Sequence, residues 1–161
     1  MQRSEPRLVR PISQTFGLKD HQSVDLGALF VYGSLMFPDV LHALLDRVPR
    51  QSRAAVVGWQ AAEIPGEVFP ALVPAEDTTY GLILDGLTPP EWCLIDAFED
   101  PLYELRSLDL AEGGHAWAYV CPDSSNVSSN SWSSKTFASE HLESYVANCK
   151  VWRQKYETGA T

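Results

Sequence analysis

Hydrophobic residues along this chain form short apolar runs, typical of strands, and stretches with three- and four-residue spacing, typical of helices. Most of the apolar runs are bounded by turn-forming Gly, Pro, Asp or Asn residues. Six strands are predicted on this basis: Ala28 to Tyr32, Ala54 to Gln60, Val68 to Val73, Tyr80 to Leu84, Tyr103 to Leu110 and Ala116 to Cys121.

Three helices are predicted between and after these strands. The first opens at Phe37-Pro38 and has ended by Pro49. The second begins with a capping box, in which the Thr88 oxygen accepts from the third amide and Glu91 reaches back. The third runs from about Phe137 to Tyr156 with one apolar stripe.

Strands dominate the middle of the chain and do not alternate regularly with helices, which disfavours a doubly wound parallel sheet. The pattern predicts an α+β fold with a small, mixed, barrel-like sheet flanked by helices. Residues 28–161 are predicted to form this single domain, after a partly disordered N-terminal arm at 1–27 with at most one short strand from Val24 to Leu26. The Ser- and Asn-rich composition at about 123–135 predicts a flexible loop.

Composition narrows the class of protein. The chain has 161 residues, of which 45% are hydrophobic and 20% charged, as in ordinary soluble domains. No apolar run approaches the ~20 residues needed to cross a bilayer, and no apolar stretch follows the charged N-terminus, so we expect no membrane partner and a cytoplasmic location. The net charge of −9 argues against nucleic acid as a partner. The oligomeric state stays open.

The cysteine pattern gives no sign of a metal site. Cys93, Cys121 and Cys149 include no CxxC pair, and their odd number does not suit a disulfide framework. We interpret them as small buried side chains.

The first candidate for chemistry is the turn Tyr32-Gly33-Ser34-Leu35, which ends the first predicted strand. Glycine there lets the backbone turn sharply and approach a ligand closely. Consecutive amides in such a turn form a concavity suited to a carboxylate or a developing oxyanion. The alternative interpretation is an ordinary turn at the end of a strand.

The second candidate is Glu99, at the end of the second helix and between Phe98 and the pair Asp100-Pro101. Apolar surroundings raise the pKa of a carboxyl group, as suits a general base. The alternative is that Glu99 and Asp100 are solvated residues of a helix terminus.

Taken in order, these motifs resemble the gamma-glutamylcyclotransferase-like superfamily, and most closely its AIG2-like branch. The resemblance covers roughly residues 28 to 122. It rests on the apolar strand into Tyr32-Gly33-Ser34-Leu35, on Phe69-Pro70-Ala71-Leu72-Val73-Pro74, on Tyr80-Gly81-Leu82-Ile83-Leu84-Asp85-Gly86-Leu87, and on Leu94-Ile95-Asp96-Ala97-Phe98-Glu99 with Tyr103 four positions later.

The resemblance implies a barrel-like sheet with a cavity at one mouth and a transferase- or lyase-type enzyme acting on a small molecule. The implied reaction cyclises a γ-glutamyl amide to 5-oxoproline and releases an amine, without metal or organic cofactor. Glu99 matches the family's catalytic glutamate. The implied substrate-binding residues are Tyr32, Gly33, Ser34, Leu35 and Tyr103.

One position departs from the family pattern. The family usually has a basic residue two positions after the tyrosine, where this chain has Leu105. Arg106 follows and is expected on the opposite face of the strand, unless a β-bulge restores the register. Two further hypotheses therefore stay open. One is a related acid–base cyclisation or rearrangement of a specialised metabolite, and the other is a non-catalytic protein that binds a small ligand in the cavity.

Overall fold

The computed structural model describes residues 27–99 and 102–159. Nearly all of the predicted N-terminal arm, including its possible strand, lies outside the described residues. The described part contains five strands, β1 (Leu29–Val31), β2 (Arg50–Glu63), β3 (Pro70–Asp85), β4 (Glu104–Asp109) and β5 (His115–Val120). It also contains four α-helices, α1 (Pro38–Leu45), α2 (Pro89–Phe98), α3 (Ser134–Glu140) and α4 (Leu142–Thr158).

The strands form one mixed sheet in the order β2-β3-β1-β5-β4. Strand β1 pairs antiparallel with β3 and parallel with β5, and the two outer pairs are antiparallel. The sheet curls until its two ends meet. Their contact is marked by a hydrogen bond of 2.8 Å from the Ala111 amide, after β4, to the Ala55 carbonyl of β2. The predicted α+β fold with a barrel-like sheet is confirmed.

Alternation of side chains along the strands divides the core in two. Leu29 and Val31 of β1 face the helices, whereas Phe30 of β1 and Tyr32, directly after it, belong to the cluster inside the curled sheet. Strand β5 contributes Ala116, Ala118 and Val120 to the same interior cluster. The short strand β1 is therefore buried on both faces, and it ends between the two cores.

Strand β3 corrects the sequence prediction. Two strands were predicted, Val68 to Val73 and Tyr80 to Leu84, but one strand runs through both regions. Pro74 stays within it because it lies opposite Trp59, where the register with β2 shifts at a bulge. The ladder is interrupted at a bulge, so a proline without an N–H is tolerated there.

The second predicted helix begins as the sequence predicts, whereas the last predicted helix is divided in two. The capping box is confirmed: the Thr88 hydroxyl accepts from the Glu91 amide at 3.3 Å, and the Glu91 carboxylate accepts from the Thr88 amide at 2.9 Å. The prediction of a single terminal helix is wrong, because His141, with φ −127°, separates α3 from α4. That φ lies outside the helical range.

The Ser-rich segment, predicted as a flexible loop, is bonded to β2. The Glu63 amide donates to the Asn130 carbonyl at 3.0 Å, and the Trp132 amide donates to the Ala61 carbonyl at 2.8 Å. Ser131 forms a bridge with Ala62, and helix α3 already begins at Ser134. Composition alone missed this pairing because serine and asparagine are compatible with both loops and sheet edges.

The contact between β1 and β3 is tight at Gly81, where a Cβ atom would collide with the Val31 carbonyl oxygen and lie 2.9 Å from the Phe30 ring. We predict that Gly81→Ala lowers the free energy of unfolding by about 1–3 kcal/mol, because the added methyl group overpacks this contact. Urea denaturation measures the change. Ser52→Ala, at an exposed position of β2, is the control, and equal effects of the two substitutions would contradict the prediction.

Candidate active site

Shortly after β1 the backbone makes a turn at Gly33, Ser34 and Leu35, which we call the cradle. Gly33 precedes a 3₁₀ turn at Ser34–Met36. The turn is closed by hydrogen bonds from the Met36 amide to the Gly33 carbonyl at 3.0 Å and from the Phe37 amide to the Ser34 carbonyl at 3.2 Å. The first amides of a helical turn have no partner within that turn and can point at a ligand.

Glycine is required at position 33 by a close approach to β3. A Cβ atom there would lie 2.8 Å from Cδ of Pro70 and 2.9 Å from its Cγ. Pro70 is also hydrogen-bonded, because its carbonyl oxygen accepts from the Tyr103 hydroxyl. Tyr103 thus fixes the segment against which the cradle packs.

One pocket brings together all six residues that the sequence suggested. Its volume is about 40 Å³, which is room for roughly three water molecules. Glu99 forms part of its wall, and the cradle residues form another part. The lining residues are Phe30, Val31, Tyr32, Gly33, Ser34, Leu35, Phe69, Pro70, Glu99, Tyr103, Tyr119 and Tyr145.

Glu99 is placed by the end of helix α2. It is the C-cap residue, its backbone is extended, and its amide donates to the Ile95 carbonyl at 2.9 Å. The helix geometry thereby turns the chain at Glu99, and its half-buried side chain meets the pocket. Three residues earlier, the buried Asp96 carboxylate accepts a hydrogen bond from the Tyr119 hydroxyl at 3.0 Å.

Tyr32 forms part of the pocket wall. Its hydroxyl donates to the Tyr119 carbonyl oxygen at 2.6 Å. Burial raises the pKa of Tyr32 well above its usual value of 10.0, and the nearby Glu99 carboxylate raises it further. The phenol is therefore neutral over the physiological range.

Sequence reasoning missed two tyrosines of the pocket. Tyr119 lies on β5, and Tyr145 lies on α4, where its hydroxyl accepts from the Ser34 hydroxyl at 3.1 Å. The spacing of Tyr145 assigned it only to the apolar stripe of the last helix. Tyr119 was predicted only as part of a strand, and no local pattern indicated the pocket that it lines.

Position 105 does not supply a basic group to the pocket. Leu105 is buried among apolar side chains facing the helices. The β4–β5 ladder runs in register from Glu104 to Asp109, so no bulge rotates Arg106 into its place. Arg106 instead pairs with Glu104 at 2.8 Å, and both side chains are about half exposed. Among the described residues that line the pocket, none is Lys, Arg or His.

Two further properties concern residues 27–99 and 102–159. No three His, Cys, Asp or Glu side chains there lie close enough together to hold a metal ion. None of the helices in the same part of the chain combines the length and apolar character needed to span a bilayer.

A known protein family matches the part of the chain that contains most of this site. The model of the family described as gamma-glutamyl cyclotransferase, AIG2-like, matches residues 29–134. The chain belongs to this family. Its pocket therefore lies within a gamma-glutamyl cyclotransferase, AIG2-like domain, apart from Tyr145.

Relatives of this AIG2-like chain occur in Arabidopsis thaliana. AIG2-like protein D is 38% identical over 89 residues, which are 55% of this chain and 59% of that protein. AIG2-like protein A is 39% identical over 83 residues, 51% of this chain and 50% of that protein. The match thus spans only about half to three-fifths of the curated relatives' length.

Solved structures share the fold. The solution structure of At5g39720.1 from Arabidopsis thaliana has a TM-score of 0.59 at 27% identity and covers 79% of this chain and 90% of its own. That of At3g28950.1 has a TM-score of 0.60 at 21% identity, with coverages of 86% and 88%. A structure titled gamma-glutamyl cyclotransferase has a TM-score of 0.51 at 13% identity and covers 63% and 68%.

The raised pKa of Tyr32 predicts a pH-dependent stability. Below pH 10 the phenol is protonated in both states, whereas above pH 10 only the unfolded state loses its proton. The free energy of unfolding of the wild type should therefore fall above pH 10, by up to about 1.4 kcal/mol per pH unit from this group. Tyr32→Phe should lack this decrease.

Urea denaturation between pH 8 and pH 11 measures the effect as the difference between wild type and variant. Thr79→Val is the control, because it removes a buried hydrogen bond of 2.8 Å to the Trp59 carbonyl without removing a titrating group. The wild-type advantage over Tyr32→Phe should shrink above pH 10, whereas its advantage over Thr79→Val should stay constant. A constant difference in both cases would contradict the raised pKa.

Proposed function

We propose that this protein is a cyclotransferase-type enzyme that converts a γ-glutamyl amide into 5-oxoproline and a free amine. One observation carries the proposal. The Glu99 carboxylate and the cradle of Gly33, Ser34 and Leu35 form walls of the same small pocket, although they come from a helix end and a strand end far apart in sequence. A proton-transfer group in the same pocket as backbone donors is the arrangement that this cyclisation needs.

The proposed reaction requires no external reagent. Glu99 takes a proton from the substrate's α-ammonium group, and the free amine attacks the γ-carbonyl carbon to form the ring C–N bond. The resulting oxyanion is stabilised by amides of the cradle. As the intermediate collapses, the bond to the leaving nitrogen breaks and Glu99 returns its proton to that nitrogen. The ring nitrogen gives up its second proton, which is taken up by the released amine, so the products are 5-oxoproline and an ammonium ion.

Enclosure favours this ring closure over competing hydrolysis. Amine and carbonyl belong to one molecule, so holding the chain in a bent conformation gives much of the rate enhancement. The four tyrosines, with Phe69 and Pro70, surround a space for only a few small groups. Tyr32, whose pKa is raised by burial, acts in this proposal as a neutral wall rather than as a proton donor. We expect no metal or organic cofactor.

Leu105 favours a second candidate, an acid–base cyclisation or rearrangement of a specialised metabolite on the same scaffold. Without a basic side chain on the described pocket wall, a substrate carboxylate has only backbone amides and hydroxyl groups as partners. A substrate with less negative charge fits such a pocket equally well. 5-Oxoproline release from a panel of γ-glutamyl amines and peptides separates the two candidates.

We predict that Glu99→Gln reduces 5-oxoproline release by at least about a thousandfold, because the amide cannot carry the proton in either direction. The fold should be retained, as judged by circular dichroism and thermal unfolding. Glu104→Gln is the matched control, since it makes the same chemical change at an exposed residue paired with Arg106. It should leave kcat and KM unchanged.

Three results would count against the proposed function. Undiminished turnover by Glu99→Gln would remove the carboxylate from the mechanism. Failure of the wild type with every γ-glutamyl compound would favour the second candidate. Equal ligand affinity of wild type and Glu99→Gln, with no turnover by either, would indicate a binding protein.

A further inference from the structure

The C-terminal helix α4 supplies a part of the pocket that lies outside the family match. Tyr145 lies on α4, eleven residues beyond position 134, where the family match ends, and it lines the pocket. Its side chain is buried, with 6% exposure. A residue beyond the matched segment therefore meets the same space as Glu99 and the cradle.

Three contacts of Tyr145 join the two halves of the pocket. Its hydroxyl accepts a hydrogen bond from the Ser34 hydroxyl in the cradle at 3.1 Å. Its ring packs edge-on against Phe98, the residue directly before Glu99, with centroids 6.4 Å apart. It also packs against Phe137 of α3, with centroids 5.2 Å apart and an angle of 72°. One side chain therefore touches the cradle and the neighbour of the carboxylate.

We propose that Tyr145 is a positioning residue that holds Ser34 of the cradle and the end of helix α2 in a fixed relation. Helix α4 then contributes to the geometry of the site through Tyr145. The catalytic consequence rests on the proposed function, whereas the positioning itself does not.

The cradle needs such support because it is short. Its 3₁₀ turn has three residues and two turn-closing hydrogen bonds, from the Met36 and Phe37 amides. Turns of this length have poor hydrogen-bond geometry and little stability of their own. A buried hydroxyl pair to a 17-residue helix supplies an anchor from the rest of the fold.

Amide hydrogen exchange tests the positioning without reference to activity. In Tyr145→Phe, which keeps the ring and removes the hydroxyl, the protection of the Met36 and Phe37 amides should fall by roughly fivefold or more relative to amides of the β4–β5 ladder. Tyr156→Phe is the matched control on the same helix, where the ring stacks on Trp152. It should leave this ratio unchanged.

The exchange experiment has clear contrary outcomes. An unchanged ratio in Tyr145→Phe would overturn the proposal, because the hydroxyl would then not hold the cradle. An equal loss of protection in the turn and in the β4–β5 ladder would also overturn it, since the residue would then serve only global stability.

Steady-state kinetics test the catalytic consequence. Tyr145→Phe and Ser34→Ala should each lower kcat for 5-oxoproline release by roughly fivefold or more, with a smaller change in KM. The double variant should be no slower than either single variant, because both remove the same hydrogen bond. Additive losses would overturn the coupling, and Tyr156→Phe should keep wild-type kinetics.

The two experiments separate the two proposals. If the wild type releases no 5-oxoproline from any γ-glutamyl compound, the proposed function fails. The exchange ratio of Tyr145→Phe still decides whether this tyrosine holds the cradle.

Discussion

The close packing of β1 between β3 and β5 is the constraint on which the candidate site depends. Strand β1 has only three residues, yet it is the middle strand of the sheet. It reaches that position because Gly81 places no side chain against the Val31 carbonyl, and Gly33 places none against Pro70. Its burial on both faces fixes where the strand ends, and so where the cradle begins.

A second link runs from the curled sheet to the helix that carries the carboxylate. The backbone carbonyl of Tyr119 accepts a hydrogen bond from the Tyr32 hydroxyl, and the Tyr119 hydroxyl donates one to the Asp96 carboxylate. One residue of β5 thereby connects Tyr32 in the pocket wall to the last turn of α2. Glu99 follows that turn, so its position relative to the cradle is set by buried hydrogen bonds on both sides of the sheet.

Local features of the site could be predicted from the sequence, and through-space features could not. The strand ending at Gly33-Ser34 and the helix between Thr88 and Glu99 depend on neighbouring residues, whose turn and capping preferences are visible in the chain. The pairing of Tyr145 with Ser34 joins positions 111 residues apart, and no local pattern specifies it. The continuity of β3 through Pro74 was missed for the same reason, since it depends on a bulge next to a partner strand.

The Ser-rich segment has a consequence for how the protein behaves at high concentration. Strand β2 lies at the end of the sheet order, and an exposed strand edge offers amides and carbonyls to other chains. Here Ala111 occupies one part of that edge, and the backbone from Ser128 to Trp132 occupies another. A stretch with the composition of a linker thus covers part of an edge that would otherwise be open to β-pairing with other chains, and Trp132 is its one large hydrophobic residue.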